Sequence, residues 1–310
     1  MKKPNPELLP RTTQRSLPLK RRERQQFIVT FLAPPVILYV IFVVVPAINA
    51  LRYSLTRWDG LGEPVWVGLR NFTSIWESGS VFVNALKHNL FLMFVPGLFI
   101  LSLALFFAYT IHQRIPGARI FRIAFFFPNI ISSVAIALLW VLLYSPTKVG
   151  LFNSLRHLMG YKDVFPFTES SHLLWSLVPM MVWSATGFYM VLFLAAMENI
   201  PETYYEAARL DSASPTQIFF RITLPLMWDV LTTGIIFLVV GGLKVFDAIW
   251  VMENSHPNEK THTLATLMYT KVFEEYNIGY GTAIAVLLFI LVLLATLLSF
   301  RLLRRERLEY

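Results

Sequence analysis

The sequence predicts an all-α fold, that of a polytopic membrane protein with six transmembrane helices, and three observations predict it. First, of 310 residues 55% are hydrophobic and only 15% charged. A soluble domain needs about 25% charge to cover its surface. Second, the apolar residues gather into runs of twenty or more, long enough to cross a hydrocarbon core of ~30 Å. Third, these runs lack the period-two alternation over about ten residues that marks a membrane strand. The 26 Phe exclude disorder, and the absence of Cys excludes thiol catalysis, thiolate metal sites and disulfides.

The first run, Phe27 to Leu51, follows Lys20, Arg21, Arg22 and Arg24 directly. It exceeds the 7–15 apolar residues of a signal peptide and no clean cleavage site follows, so it reads as a retained span. The others run from Leu86 to Ile111, Ile120 to Tyr144, Leu173 to Met197, Leu226 to Met252 and Thr282 to Leu303. Their continuity reads as unbroken helices. The resulting organisation is a basic tail over 1–26, a first span with its loop over 27–83, and a core over 84–306.

Orientation follows from Lys and Arg in the connections. The N-terminal tail, the 2–3 and 4–5 connections and the C-terminal tail carry 17, including Lys2, Lys3, Arg11, Arg15, Arg114, Arg119, Arg122, Arg209, Arg221, Arg301, Arg304, Arg305 and Arg307. The opposite side carries 9, Lys148 and Lys162 among them, and Lys244 lies inside the fifth run. Both termini are therefore expected in the cytosol. The net charge of +8 reads as a topology signal, and no nucleic-acid partner is expected, since no nucleic-acid fold accompanies the basic residues.

The connection over 198–225 is unlike a plain connector. Pro201 suits a first helical turn, with Glu202 and Glu206 near the helix N-terminus. Asp211 and Ser212 stop that short helix. Ser214-Pro215 opens a second, whose apolar face is Ile218, Phe219, Ile222 and Leu224, and Pro225 is expected to mark the break before the fifth span.

Glu206-Ala207-Ala208, three residues, Ser212, nine residues and Ile222-Thr223-Leu224-Pro225 resemble the signature of bacterial ATP-binding-cassette importer permeases, in which glycine stands where this chain has Ser212. Val67-Gly68-Leu69-x-Asn71-Phe72 and Lys244-Val-Phe-Asp247-x-Ile-Trp250-Val-Met are similar to family segments too. With these the resemblance covers nearly the whole chain after the tail. It implies the type I importer permease fold in the bacterial plasma (inner) membrane. It also points to the carbohydrate-uptake branch and to the larger maltose-type subunit. It further implies that the short helix docks in a groove on a cytosolic ATP-binding subunit dimer, with Glu206, Ala207, Ala208, Asp211, Ser212, Ile222, Leu224 and Pro225 as the coupling set. ATP and Mg would then sit on that partner, with no cofactor on this chain. The further partners implied are a second permease subunit, an extracytoplasmic solute-binding protein and membrane lipid. Serine lacks glycine's access to positive φ. A turn of ordinary negative φ accepts serine, so docking is expected to survive the change.

Polar residues inside spans mark candidate substrate contacts. Asn129, Ser132, Ser133, Ile136 and Trp140 recur at spacings of three to four and are expected on one helix face. Asn129 and Ser133 read equally as substrate contacts or as interhelical hydrogen bonds. Trp183 shares a face with Pro179 and Gly187, and reads as a sugar-stacking ring or as packing. Lys244 and Asp247, at i and i+3, are expected to pair with each other or, with Trp250, to line the external mouth.

His88, His112, His157, His172, His256 and His262 are dispersed, so no metal site is expected. No phosphate-loop motif occurs, so energy must come from a partner or an ion gradient. A stand-alone secondary transporter would show inverted halves with interrupted helices, and a membrane enzyme would show paired carboxylates or clustered His. The sequence shows neither. The expected function is transport without catalysis, for a sugar or oligosaccharide, with glycerol phosphate or another polyol as the alternative substrate.

Overall fold

The computed structural model describes residues 21–77, 79–113, 115–147 and 150–303. Lys2, Lys3, Arg11, Arg15 and Lys20 of the basic tail, with Arg114, Lys148, Arg304, Arg305 and Arg307, lie outside them. The chain divides into two compact units, 1–49 and 50–310.

From the first unit α1 (Arg21–Tyr39) passes through a π-helical turn at Val40–Val44 into α2 (Val45–Tyr53), whose residues from Ala50 on are counted with the second unit. Together Gln25–Tyr53 make one apolar helix of 29 residues. Between Phe31 and Ile48 its side chains are apolar on every face, as suits a helix in lipid.

The second unit opens on a two-stranded antiparallel hairpin, β1 (Thr56–Arg57) with β2 (Val65–Trp66), and on α3 (Arg70–Glu77). Asn71 fixes this loop by donating to the carbonyls of Ser54 and Thr56, each at 2.8 Å. Then come α4 (Ser80–His112), α5 (Ala118–Ile130), α6 (Ser133–Leu143), α7 (Leu151–Leu158) and α8 (Leu173–Glu198). After α8 the signature connection holds α9 (Glu202–Leu210), α10 (Pro215–Ile218) and the single turn α11 (Leu224–Leu226). Finally α12 (Trp228–Leu243), α13 (Asp247–Met252), α14 (Leu264–Tyr269) and α15 (Ile278–Leu303) complete the unit.

The core is organised along α8. Its C-terminal half, Tyr189 to Met197, packs with Ile100, Ala104 and Ala108 of α4 and with Leu231 of α12. Its N-terminal half, Leu173 to Met180, packs with Ile136, Ala137 and Trp140 of α6 and with Ile249 and Met252 of α13. Between the halves sits Gly187, where a Cβ would collide with the backbone of Phe125 on α5. The absence of a side chain there lets two helices cross at backbone contact.

The third predicted span is not one helix. Its two halves, α5 and α6, meet at 99°. Pro128 has no N–H to give, α5 ends at Ile130, and Ile131 and Ser132 are extended at ψ 141° and 144°. The Ser132 hydroxyl then accepts from the amide of Ala135 at 3.3 Å and caps α6. Asn129 and Ser133 thus stand on different helices, and the single face expected for residues 129–140 does not exist. The fifth predicted span is interrupted as well, at 244–246, between α12 and α13. Among the described residues, five helices are long and apolar enough to cross a membrane, or six with the bent pair taken as one span.

Candidate functional site

The connection after α8 folds as a helical pair. Pro201 stands at the N-cap position of α9, one residue before the first turn and without a capping bond, and the helix's inner face, Tyr205 and Ala208, is buried against Ile200 and Ile218. Its outer face carries Glu206 and Ala207 exposed and Leu210 86% exposed. Glu202 and Arg209 pair at 2.9 Å across the exposed surface. Ser214 and Gln217 form a reciprocal capping box that starts α10 with Pro215 at its first position.

The turn between them corrects the expectation for Ser212. Its φ is +56°, in the left-handed region. The amide of Ser212 donates to the carbonyl of Arg209 at 3.1 Å and that of Ala213 to Ala208 at 3.0 Å. This is a Schellman termination, which places a left-handed residue directly after the C-cap Asp211. Serine occupies a conformation that glycine takes at no steric cost, and the bond pattern holds it there.

Pro225 does not break the chain where expected. It lies within α11, after a π-helical turn at Phe219–Thr223. The break follows at Met227, two residues later. A proline in a first helical turn needs no amide partner, so it starts this short helix without ending the previous one. Ile222 packs with Tyr205 and Ala208, and Leu224 packs with the α4–α8 core. Behind α9 lies a polar cavity of about 930 Å3. Arg122 and Glu198 pair on its wall at 2.7 Å and tie α5 to the end of α8.

A second cavity, of about 430 Å3, opens where the two interrupted spans meet. Asn129, Ile131 and Ser133 come from one break, Lys244 to Ala248 from the other, and Met180, Met181, Ser184 and Ala185 from α8. The expected Lys244–Asp247 pair is absent among the described residues. Instead Ser133 donates to the Asp247 carboxylate across the cavity. Lys244 is the C-cap of α12 and Asp247 the first residue of α13, so the intervening bend removes their i, i+3 relation.

The interruption at 244–246 leaves carbonyls without helical partners, which cannot stand bare at membrane depth. Asn89 of α4, fully buried, donates to the carbonyls of Gly242 and Leu243 at 3.0 and 3.1 Å. It also accepts from the amide of Leu264 at 2.8 Å. Thr263 donates to the carbonyl of Val245 at 2.7 Å and caps α14. Nearby, Nδ1 of His88 lies 2.8 Å from the His262 carbonyl, which can only accept, so His88 donates. His262 itself is buried, and its pKa is pushed down to about 4, chiefly by burial and then by the nearby Lys271. The sequence reading missed Asn89. A polar residue within an apolar run was the one signal available, and His88 beside it was read only as one of six dispersed His.

The three tryptophans stand apart from the cavity wall. Trp140 is buried among Tyr144, Phe152 and Trp183, its ring centroid 5.6 Å from that of Phe152. Trp183 is half-exposed beside it. Trp250 stacks on Phe246 at 5.3 Å and meets Tyr269 edge-on. Among the described residues no group of three or more His, Asp or Glu is placed to hold a metal ion.

A helical bundle with broken spans, an exposed helical pair after its fourth span and a cavity at the breaks that gathers a few polar side chains is the architecture expected of a membrane transport subunit. The comparisons place it. Residues 100–307 match the family described as "Binding-protein-dependent transport system inner membrane component", and the chain belongs to that family. It is 32% identical over 293 residues to the diacetylchitobiose uptake system permease protein NgcF of Streptomyces coelicolor, covering 90% of this chain and 82% of that protein. It is 28% identical over 276 residues to the multiple sugar-binding transport system permease protein MsmF of Streptococcus mutans, covering 88% and 93%. A crystal structure of a bacterial ABC transporter involved in the import of the acidic polysaccharide alginate contains a chain of the same fold. That likeness has a TM-score of 0.80 at 23% identity and covers 91% of this chain and 96% of that one. The protein is thus an inner-membrane permease subunit of an ATP-driven, binding-protein-dependent importer. It is a transport component and not an enzyme.

Proposed function

We propose that this chain forms one half of a translocation path for a sugar or oligosaccharide. The sugar-uptake relatives support this, as does a cavity that offers donors and acceptors together: Asn129, Ser133, Ser184, Lys244 and Asp247. A second permease subunit completes the path, a solute-binding protein delivers the substrate from outside, and a cytosolic ATP-binding dimer holds ATP and Mg. Both termini are then cytosolic, in keeping with the 17-to-9 distribution of basic residues. Residues 1–26 form the cytosolic tail, 27–83 the first span with its external loop, and 84–306 the core. Trp140, Trp183 and Trp250 support the cavity through their packing, without lining it.

The coupling element is α9. The observation that carries this reading is its division into a buried inner face, Tyr205 and Ala208, and a bare outer face, Glu206, Ala207 and Leu210. The small Ala207 permits close approach, and the Glu206 carboxylate is free to meet a basic partner. Asp211 and Ser212 set the turn, while Ile222, Leu224 and Pro225 anchor the pair to the core. Movement of the ATPase dimer thereby reaches α8 and α12, the spans at either end of the connection, and shifts the populations of inward- and outward-facing states. Glu206→Lys is expected to abolish uptake and weaken co-purification of the ATPase subunit, while leaving the amount of folded permease unchanged. Undiminished uptake by that variant removes α9 from the coupling role.

A further inference from the structure

The loop between α6 and α8 carries a helix that the transport reading does not use. Residues Leu151, Leu155, Leu158 and Met159 of α7 and its C-cap form a stripe that is 49%, 41%, 84% and 74% exposed. At 100° per residue these four positions lie within about a third of the helix circumference. The opposite side is fixed. Asn153, 2% exposed, accepts from the amide of Phe165 at 2.9 Å and donates toward the carbonyls of Tyr144, Ser145 and Phe165. At the edge of the stripe, Phe152 packs between Trp140, Tyr144 and Phe167 and fixes the helix's rotation. The apolar stripe is therefore held outward by the fold.

Depth and charge say what covers it. Phe152 packs in the same cluster as Leu173 and Leu177, the first turns of α8, so α7 lies level with the end of a membrane span. Trp175 in that same first turn is 65% exposed, as an aromatic ring at a membrane boundary is. Segment 145–162 contains Lys148, Arg156, Lys162 and His157 and no Asp or Glu. Arg156 is held with its guanidinium 4.6 Å from the ring centre of Tyr161 and 5.1 Å from that of Phe165. Its Nε is buried without a hydrogen-bond partner, which leaves only the terminal guanidinium N–H groups for a ligand, and no carboxylate pairs with it among the described residues. A short helix with an apolar stripe, no acidic residue of its own and Lys148, Arg156 and Lys162 against Asp163 over 148–163 suits an anionic interface.

We infer that α7 lies in the plane of the membrane surface, on the side opposite α9. Its Leu151–Met159 stripe sits at the headgroup–acyl boundary, and Arg156 offers its N–H groups to a lipid phosphate. This anchors the 3–4 loop, and with it the external end of the cavity wall formed by α6, to the leaflet.

The chain has no Cys, so single labels report without background. Full-length permease carrying Leu158→Cys, Met159→Cys or, off the stripe, His157→Cys is labelled with a fluorophore. It is then reconstituted in phosphatidylcholine vesicles with and without phosphatidylglycerol. A lipid bearing a nitroxide high on its acyl chain is expected to quench the Leu158 and Met159 labels severalfold more than the His157 label. Aqueous iodide is expected to show the reverse order. Phosphatidylglycerol is expected to increase the lipid quenching at Leu158, and Arg156→Gln to remove that increase. Equal exposure of all three labels to iodide overturns the inference. So does shielding of Leu158 only when the solute-binding protein is added, because the stripe is then a protein-docking surface. Lipid quenching that ignores both phosphatidylglycerol and Arg156→Gln overturns the phosphate contact.

Discussion

The α9–α10 pair and the cavity at the broken spans are built on opposite plans. The pair is local. Its caps, its Schellman turn and its Glu202–Arg209 bridge join residues at most seven apart in sequence. The cavity is assembled at long range: Ser133 reaches Asp247 across 114 positions, and Asn89 reaches Leu243 and Leu264 across 154 and 175. The pair keeps its charges in water, where an exposed ion pair contributes about 0–1 kcal/mol. The Asn89 bonds that support the cavity's broken span are buried where no water can replace them, so each lost partner costs about 1–3 kcal/mol. A docking surface can be put together from a short stretch of chain, whereas a polar path through a membrane needs several helices to repair one another's breaks.

The contrast is broken most severely at Asn89. Replacing it with Ala strips partners from two carbonyls and an amide, with an expected loss of roughly 3 kcal/mol or more. Thermal unfolding of the purified protein in detergent measures it. An unchanged midpoint would show that water or lipid headgroups satisfy the break at 244–246.

The His262 region makes the same comparison through pH. A buried imidazole whose pKa falls from 6.5 to about 4 favours the neutral form in the fold. The unfolded chain therefore binds a proton first as pH falls, and stability is lost between about pH 6.5 and 4, by an amount on the order of 3 kcal/mol. His262→Gln is expected to flatten this part of the stability profile.

A smaller effect sharpens the local side. Ser212→Gly relieves a left-handed residue with a side chain and is expected to stabilise the loop by up to about 1 kcal/mol. Amide hydrogen exchange at Ala213 and Ser212, whose amides close the Schellman turn, reports it. Faster exchange in the glycine variant would mean that the serine hydroxyl itself holds the turn.

Legibility in the sequence follows the same division. Pro201, Ser214-Pro215 and the apolar spacing of Ile218 and Ile222 are local signals, and the helices of the pair form where they place them. Even there the sign of φ at Ser212 depends on a bond pattern that no residue type dictates. The continuous-helix reading of the third span failed although Pro128 and Ser132 were both in view. Their meaning depends on α8 offering Gly187 as a crossing point for the α5 backbone. The role of Asn89 was beyond reach, because the groups it satisfies become bare only when a span about 153 positions away is interrupted.

The central claim is that α9 meets the ATPase subunit through its bare face. In the Cys-free background, Ala207→Cys is combined with single cysteines around the groove of the co-expressed ATPase subunit, and disulfide formation is scored with and without nucleotide. Ala207 is expected to cross-link to that subunit, with a yield that changes on ATP binding, while Ser184→Cys in the cavity does not cross-link. Absence of any Ala207 cross-link in a complex that still transports would contradict the claim.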